Sequence, residues 1–240
     1  MVAAFLATAA VLVAAAAGPA ASGAPPGAAR DLAQVYFSNT LTRAEVISVV
    51  GGAVHDYRID EGRVIAVRPN ANQPSAIDLL ERDGTRQTIA VGQSTRIVGV
   101  GRLFGPSIAR GVRIVAVREG GGPAILIRPS GSARALGKIY LGTTLVRAEV
   151  LTYSARTLHD FRIDEGRIVS AKPSSSSIVL LERDGTKQTI AYSSSTQITE
   201  AGQPVDQTAL TKGLFAITVR QGDGPAVEIR LFPQLLTAPR

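Results

Sequence analysis

His55-Asp56-Tyr57-Arg58-Ile59-Asp60-Glu61-Gly62-Arg63 returns, about 100 residues later, as His159-Asp160-Phe161-Arg162-Ile163-Asp164-Glu165-Gly166-Arg167. The flanks repeat with it. Leu41-Thr42-Arg43-Ala44-Glu45-Val46 recurs as Leu145-Val146-Arg147-Ala148-Glu149-Val150. Leu79-Leu80-Glu81-Arg82-Asp83-Gly84-Thr85 recurs as Leu180-Leu181-Glu182-Arg183-Asp184-Gly185-Thr186, and Gly122-Pro123-Ala124 as Gly224-Pro225-Ala226. The chain therefore reads as two tandem copies of one unit, residues 29–130 and 131–240. Pro129-Ser130-Gly131-Ser132 is the polar break between them. Length differences between the copies fall at 70–75 against 174–177, and after Gly101 and Gly202, as expected of surface loops.

Each copy reads as short strands divided by turn residues. Asp83-Gly84 and Asp184-Gly185, set between β-branched runs, predict two-residue hairpins whose turn positions need positive φ. Gly51-Gly52 predicts another, matched by Ser154-Ala155. Asp60-Glu61-Gly62 predicts a turn between Ala53–Ile59 and Arg63–Arg68, and Gly120-Gly121-Gly122 a hairpin before Ala124. The one helical candidate is Leu103 to Arg110, matched by Val205 to Leu210. Closely spaced strands and turns predict an all-β fold of two small antiparallel barrels in tandem.

The succession is Gly-Arg-Ile/Val, Glu-Arg-Asp-Gly-Thr, Thr95/Thr196 with Ile97/Ile198, a Gly-led strand from Gly111 or Gly213, and Gly-Pro-Ala. It resembles the small OB-like barrel domains of unknown function found in exported bacterial proteins. That resemblance implies a fold and an exported setting, and it supplies no catalytic residues.

Met1 to Ala29 carries no charged side chain, and Phe5 to Gly18 is an apolar run interrupted only by Thr8. Small residues and prolines follow, which is the pattern of a signal peptide over residues 1–28, cleaved after Ala21 or Gly23. No Lys or Arg precedes the apolar run. The alternative is an uncleaved anchor, but the run is shorter than the ~20 residues that span a bilayer comfortably. No other stretch is long and apolar enough to span, so the mature chain is expected to be secreted or held in the cell envelope. Residues before Ala29 have no counterpart in the second copy.

The 240 residues include no Cys and no Trp, 45% are apolar and the net charge is +7. Disulfides, thiolate metal sites and Cys nucleophiles are excluded. The positive surface attracts polyanions. Arg greatly outnumbers Lys, and with the Ala and Gly excess this also matches the composition of a GC-rich genome.

His55 and His159, each beside an Asp, are the only histidines. On a strand, neighbouring side chains point to opposite faces, so His55 aligns with Tyr57 and Ile59, and Asp56 with Arg58 and Asp60. That opposes a triad and favours the ion pairs Asp56–Arg58 and Asp160–Arg162. Two histidines without Cys fall short of a zinc site. Asp60-Glu61 lacks the alternating carboxylates of a Ca²⁺ loop. Gly120-Gly121-Gly122 lacks the Lys-Ser/Thr of a P-loop, and the Ser clusters at 174–177 and 193–195 lack a nucleophile elbow. Neither a cofactor nor a metal is expected.

The expectation is a non-enzymatic binding or structural module that contacts an acidic cell-wall polymer. Its candidate ligand residues are Arg58, Arg162, Tyr57, Phe161, Arg86 and Arg113. The first alternative is single-stranded nucleic-acid binding, since OB-type barrels combine basic grooves with stacking rings; Tyr36, Tyr57, Tyr140 and Phe161 are the rings available. The second is a hydrolase using His55 or His159.

Overall fold

The computed structural model describes residues 32–69, 74–99, 108–142 and 144–232. The signal-peptide segment 1–28 lies outside them, as does most of the helical candidate at 103–110. Its counterpart in the second copy contains a single 3-10 turn, Gln207–Ala209.

Copy one opens with the short helix α1 (Leu32–Tyr36), followed by β1 (Leu41–Val50), β2 (Ala53–Arg68), β3 (Ala76–Glu81), β4 (Arg86–Ile97), β5 (Arg113–Glu119) and β6 (Ala124–Pro129). Copy two repeats the order with helix α2 (Ala133–Tyr140), β7 (Leu145–Ser154), β8 (Thr157–Lys172), β9 (Ser177–Glu182) and β10 (Lys187–Ala191). It ends with β11 (Gln197–Glu200), β12 (Gln203–Pro204), β13 (Phe215–Gln221) and β14 (Ala226–Phe232). The polar break at Ser130–Ser132 is a 3-10 turn that runs directly into α2.

The all-β reading holds, but the strands do not separate into two antiparallel sets. All belong to one mixed sheet of 14 strands. Two pairs are parallel, β4 with β6 and β11 with β14. The copies merge because β1 pairs antiparallel with β7, in the order β5-β2-β1-β7-β8-β13. The register is self-complementary. Ala44 faces Val150, Val46 faces Ala148, and Glu45 faces its own counterpart Glu149. A local two-fold axis therefore passes between the two glutamates, as in an isologous dimer.

Strand alternation explains why the copies cannot stand apart. On β1, Ala44, Val46 and Ser48 point one way and are buried, while Arg43, Glu45 and Ile47 point the other. The apolar side needs a cover, and α1 and α2 supply it. α2 turns Ala133, Leu136 and Gly137 inward, the spacing of one helix face. The resulting core draws Leu32, Phe37, Leu41, Val46 and Ile59 from copy one and Leu136, Leu141, Leu145, Val150 and Ile163 from copy two. Two rings from each copy pack reciprocally. Tyr36 meets Phe161 with centroids 4.7 Å apart, and Tyr57 meets Tyr140 at 4.8 Å. Each copy keeps a second core of its own, around Ile77, Leu79, Ile89 and Ile114 in the first and Ile178, Leu180, Ile190 and Ile229 in the second.

The turn expected at Asp60-Glu61-Gly62 is absent. β2 and β8 run through it as single 16-residue strands. Asp60, Glu61, Asp164 and Glu165 are mid-strand and buried. Gly62 and Gly166 serve a different need from a turn glycine: close approach to the neighbouring strand. A Cβ on Gly166 would stand 2.7 Å from the Leu181 carbonyl oxygen, and one on Gly62 3.0 Å from that of Leu80. Each long strand thereby pairs with the central sheet in its first half and with β3 or β9 in its second.

The Asp-Gly hairpins exist but with three-residue loops. The Gly84 N–H donates to the Glu81 carbonyl at 3.2 Å, and Gly84 alone takes positive φ, at 87°. Asp83 stays right-handed because its Oδ1 accepts from the Thr85 N–H at 2.9 Å. The two-residue turn is found at Gly51-Gly52 and, in copy two, at Ala155-Arg156 rather than Ser154-Ala155. There both non-glycine residues are left-handed, with φ of 50° and 64°.

Three outcomes are expected. Gly166→Ala should lower unfolding free energy by roughly 1–3 kcal/mol, because backbone cannot yield as a side chain does. Arg156→Gly should raise it by about 1 kcal/mol, by relieving a left-handed L-residue; urea unfolding reads both. A fragment of residues 130–240 should elute from a sizing column as a dimer through β7, and a folded monomer would refute the shared-core account.

Candidate functional site

The uncovered face of the central sheet carries one straight row of charges. Cross-strand pairing aligns Arg118, Arg58, Glu45, Glu149, Arg162 and Arg220 on β5, β2, β1, β7, β8 and β13. Directly paired residues share a face, so the order of signs is palindromic about the two-fold axis. Two related clefts flank it. One, of about 440 Å³, is lined by Arg147, Arg162, Arg220 and Gln188, with Glu45, Glu149, Asp164 and Asp223. The other, of about 220 Å³, is lined by Arg43, Arg58, Arg118 and Gln87, with Glu45, Asp60 and Glu149.

Most of these arginines are already engaged. Arg118 donates to Asp60 Oδ2 at 2.8 Å and Arg220 to Asp164 Oδ2 at 3.0 Å. Arg43 lies 3.3 Å from Glu81 and 2.5 Å from Asp83, and Arg147 lies 2.5 Å from Glu182 and 2.8 Å from Asp184. Arg58 is the loosest, 3.8 Å from Glu45 and 3.7 Å from Asp56. Arg162 has an added partner in Asp223, where copy one has Gly121. The clefts are therefore balanced in charge, with carboxylates matching or outnumbering guanidiniums.

Glu81 and Glu182 lie beneath the clefts with no side-chain exposure. Burial pushes Glu81 up to about 8; Arg43 opposes that shift, and Asp60 and Asp83 add to it. Burial likewise pushes Glu182 up to about 7 against Arg147.

The six residues singled out from sequence do not converge. Arg58 and Arg162 lie on the open face. Tyr57 and Phe161 lie on the opposite face, against the helices, where their rings pack on Tyr140 and Tyr36. His55 and His159 share that covered side. His55 stacks on Tyr57, and its Nδ1 is 2.7 Å from Glu119 Oε1. The Asp56–Arg58 and Asp160–Arg162 pairs form at 3.7 and 3.9 Å. Asp60 and Glu61 point to opposite faces of β2 and cannot chelate one ion together.

Arg86 and Arg113 stand at the two ends of a second row, on the outside of copy one. Arg113 on β5 faces Arg63 on β2, Arg63 faces Leu80 on β3, and Leu80 faces Arg86 on β4. Arg63 and Arg86 are exposed. Sequence reading missed Arg63, the Glu81 and Glu182 carboxylates, and the clamping role of Arg43 and Arg147. The signal was present: Leu-x-Arg-Ala-Glu-Val and Glu-Arg-Asp-Gly-Thr both repeat, yet pairing them needs the fold.

No family model, curated protein or solved structure matches the chain. Among the described residues no helix is long and apolar enough to cross a membrane.

The raised carboxylates set a pH dependence. A folded-state pKa above the unfolded value means that the native protein holds a proton which the unfolded chain releases. This contribution is fully present below about pH 4.5 and is lost as pH rises toward 7–8. Urea midpoints should fall between pH 5 and pH 8, and Glu81→Gln should reduce that fall by on the order of 1–3 kcal/mol. An identical pH profile in the variant would contradict the assignment.

Proposed function

We propose that the protein is a non-enzymatic, exported binding module of the cell envelope, and that it holds an acidic wall polymer against the outer face of copy one. The carrying observation is the Arg113–Arg63–Leu80–Arg86 row, since Arg63 and Arg86 make no ion pair among the described residues. Cations that are unpaired and aligned at strand spacing, ~4.8 Å per step, suit a polymer with repeated negative charge. The apolar run at Phe5–Gly18 supports export.

Each copy is further proposed to be an OB-like small barrel. In copy one the pairings run β2–β3–β4–β6–β5, with β5 also on β2 and β4 parallel to β6. In copy two β8 pairs with β9 and β13, β9 with β10, β13 with β14, and β14 lies parallel to β11. Single-stranded nucleic acid is less well supported as a ligand, because the rings that would stack bases are packed away from Arg58 and Arg162. A hydrolase centred on His55 or His159 is less well supported too, because the adjacent aspartates point away from the histidines.

The test is co-sedimentation of the full chain with isolated cell-wall material over a salt series. Binding at low ionic strength should fade as salt rises, and Arg63→Gln with Arg86→Gln should weaken it several-fold. Absence of binding at low salt would refute the reading.

A further inference from the structure

We propose that Arg63, Arg82 and Arg113 form a binding site for a phosphate group, so that the acidic polymer engaged by this face is a phosphodiester one. The inference rests on the reading of the outer row as a polymer-binding surface, and it names the chemical group recognised there.

Arg63 and Arg113 sit directly opposite each other on β2 and β5. Like charges in that position repel, and strand pairing alone gives no compensation. The third guanidinium, Arg82, enters from the β3–β4 loop. One carboxylate serves this cluster, Glu61, and it is fully occupied at its near oxygen. Glu61 Oε1 accepts from Arg82 at 3.1 Å and from the Ser130 hydroxyl at 3.0 Å, while Arg113 Nη2 stands off at 3.7 Å. The Glu61 side chain is 1% exposed, so it anchors the cluster from beneath and leaves the outer side open. Arg113 Nε and Nη2 and Arg82 Nε are buried without a hydrogen-bond partner, while the two side chains as a whole stay 36% and 27% exposed. The charged groups acting on Arg113 are Arg82, Glu61 and Arg63, which leaves a surplus of positive charge.

Copy two shows the same wall with one guanidinium fewer. Phe215 stands where copy one has Arg113, opposite Arg167, and is buried. Glu165 there takes a single close partner, Arg183, at 2.8 Å. The duplicated architecture is stable with an apolar residue at this position, so the third arginine of copy one is not required by the fold. Neighbouring guanidinium forks suit a tetrahedral oxyanion, which offers more acceptor oxygens than a carboxylate and can be gripped bidentately.

The full chain would be titrated with inorganic phosphate and, separately, with poly(glycerol phosphate), following the arginine Nε–H resonances and the binding heat. Saturable shifts are expected at Arg63, Arg82 and Arg113. Arg63→Gln and Arg113→Phe, the latter copying the second copy, should each weaken phosphate binding roughly tenfold. Arg167→Gln should leave it unchanged. Arg63 is exposed, so its variant decides the matter if Arg113→Phe disturbs folding. Unchanged affinity in Arg63→Gln, or equal loss in Arg167→Gln, would overturn the site. Phosphate binding without polymer or wall binding would keep the site and remove the polymer reading. Wall binding that survives Arg63→Gln and Arg113→Phe would keep the envelope role and remove the phosphate site.

Discussion

The antiparallel pairing of β1 with β7 is the constraint from which the rest of the architecture follows. A strand whose alternate residues are Ala44, Val46 and Ser48 on one side and Arg43, Glu45 and Ile47 on the other must bury the first set. Neither copy has enough surface to do so alone. Pairing with its own counterpart extends the sheet, and two short helices then close over a combined apolar floor. An isolated helix as short as α1 is marginal in water, so its helicity depends on this packing. The reciprocal Tyr36–Phe161 and Tyr57–Tyr140 contacts show that the dependence is mutual. The chain is in effect a dimer made covalent, with the 3-10 turn at Ser130–Ser132 as the join.

The same pairing decides what the open face can carry. The two-fold axis sets Glu45 against Glu149, an arrangement that repels unless cations flank it. Arg58 and Arg162 do so, at 3.8 Å each. Deeper in each copy, carboxylates on β2, β3 and their counterparts are drawn under the face and clamped by arginines from β1, β5, β7 and β13. Burying a carboxylate is tolerated when a guanidinium and hydrogen bonds replace water. Where replacement is incomplete, as at Glu81, the group holds its proton instead. The clefts thus read as structural seams, with little positive potential left for a ligand.

Much of this was legible in the sequence, and the failures have physical causes. The duplication, the β-rich class, the Gly51-Gly52 turn and the face-sharing of Asp56 with Arg58 all depend on spacing along one chain. The Asp60-Glu61-Gly62 error has a different origin. Acidic residues before glycine signal a turn because they are normally solvated, yet here each acid meets an arginine distant in sequence, Arg118 on β5 or Arg82 in the β3–β4 loop. Glycine there answers a neighbouring backbone, which local reading cannot supply. The packing of Tyr57 and Phe161 against Tyr140 and Tyr36 was hidden for the same reason: the side of a strand that faces a helix depends on which helix covers it. The fusion of the copies through β1 and β7 was hidden too, since a self-complementary edge carries no turn signal.

Comparison of the copies separates residues that hold the fold from residues that are free to vary. Every clamp is duplicated: Arg43 and Arg147, Glu81 and Glu182, Asp60 and Asp164, Arg118 and Arg220. Loss of the carboxylate from the Asp60–Arg118 or Asp164–Arg220 pair would leave a largely buried guanidinium without its partner. Among the positions that differ in chemistry between the copies, two bear directly on these arginines. Gly121 stands for Asp223, leaving Arg58 looser than Arg162. Arg113 stands for Phe215, leaving the outer wall of copy one with more guanidinium than carboxylate. Both differences move charge in one direction: copy one gains unpaired cation, and copy two pairs or loses it. Beside Glu61, a carboxylate too deep to cover them, the guanidiniums on the outer wall of copy one keep a larger excess of positive charge than their counterparts beside Glu165.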